Sequence, residues 1–63
     1  MSDERLEELA KKLIKAGCKQ SPKPAKRQLI SDVTASLAKE KVMADDELSF
    51  WEDRVSQMVN NYY

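Results

Sequence analysis

Apolar residues recurring every three or four positions in three separate segments predict an all-α protein, a small three-helix bundle. The only glycine and both prolines fall between the first two segments, where a helix junction is expected. No stretch shows the alternating pattern of a strand. The predicted helices cover residues 2–16, 23–39 and 45–61 of one domain, 1–63, with a basic, proline-containing linker at 18–24.

Ser2 is the expected N-cap of the first helix, with Asp3 and Glu4 in a first turn that favours carboxylates. Leu6, Leu9, Ala10, Leu13 and Ile14 form its apolar face, and Glu7–Lys11 and Glu8–Lys12 are favourable i,i+4 pairs. Gly17 is expected to end the helix in a left-handed C′ conformation, bringing Cys18 against Leu13. Ser21 is the expected cap of the second helix, with Pro22 or Pro24 in its first turn. Leu29, Ile30, Val33 and Leu37 make its apolar face. Continuing that wheel would bury Glu40 and Lys41, so the helix is expected to stop near Lys39 and Val42 and Met43 to fold over the core in a turn. Asp45 is the expected cap of the third helix, and Leu48, Trp51, Val55, Met58, Val59 and Tyr62 form its core stripe.

Composition excludes several functional classes. The chain has 63 residues and no histidine, so a nucleotide-binding sheet does not fit and the commonest general base and metal ligand are absent. Cys18 is the only cysteine and can form no internal disulfide, which suits a reducing compartment. The acidic run Asp45–Glu47 lacks the spacing and the glycine of a calcium loop, and capping accounts for it. No catalytic residue, metal site, cofactor or small-molecule substrate is expected. The first residues carry no signal-peptide pattern and no apolar run reaches membrane-spanning length, so a complete cytoplasmic protein without membrane contact is expected.

Two surfaces remain for a partner. On the third helix Phe50 lies about 160° around the wheel from Leu48, on the outward face. Asp53, Arg54 and Gln57 surround it, and an exposed aromatic beside an arginine is the composition of an interface hot spot. The first expectation is therefore a non-enzymatic adaptor, inhibitor or regulator that docks a larger protein through this face, which a homodimer would also use. The alternative uses Lys19, Lys23, Lys26 and Arg27 in the acid-free segment 19–27 to bind an anion or nucleic acid. Zero net charge and a third helix with five acids and one base weigh against that alternative, and against a recognition helix in a DNA groove.

Overall fold

The computed structural model describes residues 3–63, so the predicted Ser2 cap lies outside the described residues. Three helices follow in order: α1 (Asp3–Cys18), α2 (Lys26–Glu40) and α3 (Asp45–Tyr62). Among the described residues there is no strand, and the architecture is the predicted three-helix bundle. Among the described residues no helix is long and apolar enough to cross a membrane.

The three apolar faces converge. Leu6, Ala10 and Ile14 of α1, Leu29, Val33 and Leu37 of α2, and Trp51, Val55, Met58 and Val59 of α3 are buried together. Leu9, Leu13, Cys18, Ile30 and Met43 seal the edges of this core. No polar or charged residue is buried among the described residues, so burial of apolar surface dominates the stability. Each fully buried aliphatic side chain contributes about 1.5–3 kcal/mol relative to exposure. The entropy of ordering the chain offsets most of that sum, which leaves the balance resting on a few side chains.

Two sets of contacts give the helix directions. Glu7 meets Arg54 and Cys18 meets Tyr62, so α1 and α3 run parallel. Lys41 meets Glu47, and the N-terminal part of α2 lies beside the end of α1, so α2 runs against both. The acidic first turns of α1 (Asp3, Glu4) and α3 (Asp45, Asp46, Glu47) therefore share one end of the molecule.

Helix boundaries differ from expectation where local signals competed with packing. Gly17 does not take a left-handed conformation; it is helical and buried, and no glycine has positive φ. A Cβ at Gly17 would overlap Leu29 Cδ1, so the glycine serves close approach of α1 and α2. The helix ends one residue later in two tight turns, Lys19 N–H to Ala16 O and Gln20 N–H to Gly17 O, each 3.2 Å. Cys18 is thus the last helical residue rather than a C″ contact of Leu13, and its thiol lies 4.0 Å from the Tyr62 carbonyl oxygen.

α2 begins at Lys26, three residues after the predicted start, and extended Ala25 caps it without a side-chain hydrogen bond. The residue before a proline is driven out of the helical region, so Lys23 before Pro24 cannot join the helix and Ser21 cannot cap it. Glu40 stays exposed in the last turn, while Lys41 leaves the helix and pairs with Glu47 at 3.3 Å. Met43 packs on the core as expected, but Val42 is 95% exposed. Successive side chains of an extended turn point to opposite sides, so both cannot cover the core. Ala44 rather than Asp45 is the N-cap of α3. The Asp46 carboxylate instead accepts the Glu47 N–H at 3.0 Å inside the first turn. Tyr62, predicted in the core, is 45% exposed.

Candidate functional site

Phe50 stands 54% exposed on α3, immediately before buried Trp51 of the core stripe, and the two rings meet edge to face at 5.7 Å with an interplanar angle of 86°. The Arg54 guanidinium carbon lies 5.8 Å from the centroids of both rings. Arg54 Nη2 in turn donates to Glu7 Oε1 at 3.0 Å. An exposed ion pair of this kind contributes only about 0.2–1 kcal/mol, so its main effect is to hold the guanidinium against the aromatic pair. One side of the Phe50 ring is thereby braced, and the rest faces solvent.

The four residues predicted to bind a protein partner divide. Phe50 and Arg54 are in contact, and exposed Gln57 lies on the same side of α3, one to two turns further on. Asp53 belongs to a neighbouring surface. It lines an open groove of about 710 Å³ between α2 and α3, together with Arg27, Glu52 and small side chains such as Ala35, Ala38 and Ser49.

The four basic residues are also divided. Lys23 donates to the backbone oxygen of Tyr63 at 2.8 Å, and its ammonium sits 4.0 Å from the centroid of the Tyr63 ring. Lys26 approaches the same ring at 5.4 Å, and the Tyr63 hydroxyl donates to the Pro24 carbonyl oxygen at 2.7 Å. Lys15 lies 5.5 Å from the Tyr62 ring. Lys19 is exposed at the end of α1, and Arg27 reaches the α2–α3 groove. The unfavourable placement of Lys26 at a helix N-terminus is thus partly offset by the Tyr63 ring, while Arg27 shares its groove with Glu52 and Asp53. Tyr63→Ala is expected to lower stability by about 1 kcal/mol, a fall of about 4–8 °C in Tm, and to speed amide exchange at the start of α2. An unchanged melting curve and exchange pattern would show that the Tyr63 contacts do not hold the linker.

Glu7 and Tyr63 complete these two surfaces, and neither has a signal in the sequence. The spacing of Glu7 favours a local pair with Lys11, and nothing local connects residue 7 to 54 or 24 to 63. Among the described residues no group of carboxylates and thiols converges in a way that could hold a metal. No protein family matches the chain, nor does any curated protein or solved structure.

Proposed function

We propose that this chain is a small, non-enzymatic interaction module that docks a larger protein through the outer face of α3. Phe50 is the anchor, and the observation that carries the reading is its exposure beside a braced neighbourhood. Trp51 supports the ring from the core, and Arg54, tied to Glu7, fixes its flank. An aromatic held in place before binding loses little conformational freedom on docking, which favours its use as a hot spot. Gln57 and the remaining N–H groups of Arg54 supply directional hydrogen bonds, and Asp53 at the margin steers a positively charged partner surface. Arg54 acts in this reading mainly as a brace. A second copy of the chain is the competing occupant of the same face. The free Cys18 suits a cytoplasmic setting, where thiols stay reduced.

Phe50→Ala removes the anchor without touching the core, so helical content should be unchanged in circular dichroism. A nuclease-treated pull-down from native lysate should yield one stoichiometric protein with wild type, retained at least about tenfold less by the variant, a loss of about 1.4 kcal/mol or more. Equal recovery by both proteins, or no stoichiometric protein with wild type, would remove the basis for the proposal. Sedimentation of purified wild type and variant tests the second-copy occupant directly.

A further inference from the structure

The zero net charge conceals a separation of charge that the helix directions create. The half of the bundle nearest the α2–α3 turn, residues 3–10 and 33–54, carries ten acidic and four basic residues. The opposite half, residues 11–32 and 55–63, carries seven basic residues and Asp32 as its one acid. Two parallel helices with acidic starts, and a lysine-rich α1 end beside the basic linker, produce this polarity. The long axis is 32 Å, while charges in physiological salt are screened over about 8 Å. A polyanion at the basic end is therefore largely shielded from the carboxylates at the other, and the net charge does not govern its binding.

We propose that this basic end binds the phosphate backbone of nucleic acid. Lys11 and Lys15 of α1 and Lys19, Lys23 and Lys26 of the following segments are all exposed. Three of them are gathered around the rings of Tyr62 and Tyr63, 45% and 38% exposed, which lowers the freedom each lysine loses on meeting a phosphate. Positive charge spread over an end 19 × 18 Å wide matches a repeating phosphate array better than one acidic side chain. An anionic bilayer fits less well, because the exposed aliphatic and phenyl groups that would enter it, Val42 and Phe50, lie in the acidic half. This surface is independent of the Phe50 face, and together the two would make the chain an adaptor between nucleic acid and a protein.

The test is fluorescence anisotropy with a labelled duplex of about 20 base pairs, and a single strand of the same length, between about 50 and 200 mM salt. Both should bind without sequence preference, with log K falling linearly against log salt at a slope near −3 on the duplex, as for about three to four phosphates. Lys11→Gln/Lys19→Gln, which disturbs no tyrosine contact, should weaken binding about tenfold at the lower salt and make the slope shallower by about one to two. Glu40→Lys/Asp45→Lys adds charge at the far end and should change affinity by less than about threefold, because its charges lie beyond the screening length. No binding at the lowest salt, a flat salt response, or equal sensitivity to charge changes at the two ends would overturn the proposal. Salt-dependent self-association in sedimentation, with no oligonucleotide taken up, would overturn it too, since the two ends would then be satisfying each other.

Discussion

Trp51→Ala is expected to leave the chain largely unfolded at 37 °C. Trp51 is 2% exposed and is the largest side chain in the core, facing α1 and α2 from the first half of α3. Truncating a buried tryptophan costs about 3–5 kcal/mol, combining lost transfer energy with the cavity left behind. A domain of 63 residues has only about 3–9 kcal/mol in total, at 0.05–0.15 kcal/mol per residue. The same change also removes the ring that supports Phe50 and Arg54. Circular dichroism should show Tm lowered by at least about 15 °C, given about 4–8 °C per kcal/mol for a chain of this size. Trp51→Phe should lose less than half as much, because an aromatic ring still fills part of the site. A Trp51→Ala protein melting within about 5 °C of wild type would mean that the core is not organised around this residue.

Gly17→Val is the second large effect. A Cβ at residue 17 would overlap Leu29 Cδ1, and Leu29 is itself buried in the core. Beside them runs a cleft of about 170 Å³ lined by Leu13, Gln20 and Val33, among others, into which the Leu29 methyl can rotate. For Gly17→Ala, that relief and a gain of up to about 1 kcal/mol in helix propensity oppose the overlap, so stability should change by less than about 1 kcal/mol. Valine adds two further methyl groups that the rotation does not accommodate, and should cost about 2–3 kcal/mol by separating α1 from α2. Adding Leu29→Ala to the valine variant should recover part of the loss, a coupling of about 1 kcal/mol or more in urea titrations. Additive losses in that double variant would show that the cost of valine does not come from its contact with Leu29.

Local information was enough for most of the fold. The three- and four-residue spacing of Leu6, Ala10 and Ile14, of Leu29, Val33 and Leu37, and of Trp51, Val55 and Val59 marks three helices and names their buried faces. Each such face is an i,i+4 property of its own segment. The outward position of Phe50 follows from the same wheel. The start of α2 was also recoverable in principle, because the restriction that Pro24 places on Lys23 is a dipeptide effect.

What the tertiary structure alone decided is whatever depends on two segments meeting. Gly17 has the local signature of a helix terminator and is instead a contact residue, because Leu29 needs the space where its side chain would be. Tyr63 holds Pro24 and Lys23, and Glu7 steadies Arg54, across separations of about forty residues that no short-range pattern encodes. Segment by segment, the charges show an acidic third helix and a basic linker, yet the polarity of the whole molecule required knowing that α1 and α3 run parallel. Sequence by itself determined which residues are apolar, which are charged and how each helix turns them. Packing determined which of them share a surface, because helix–helix contacts depend on shape and direction in three dimensions.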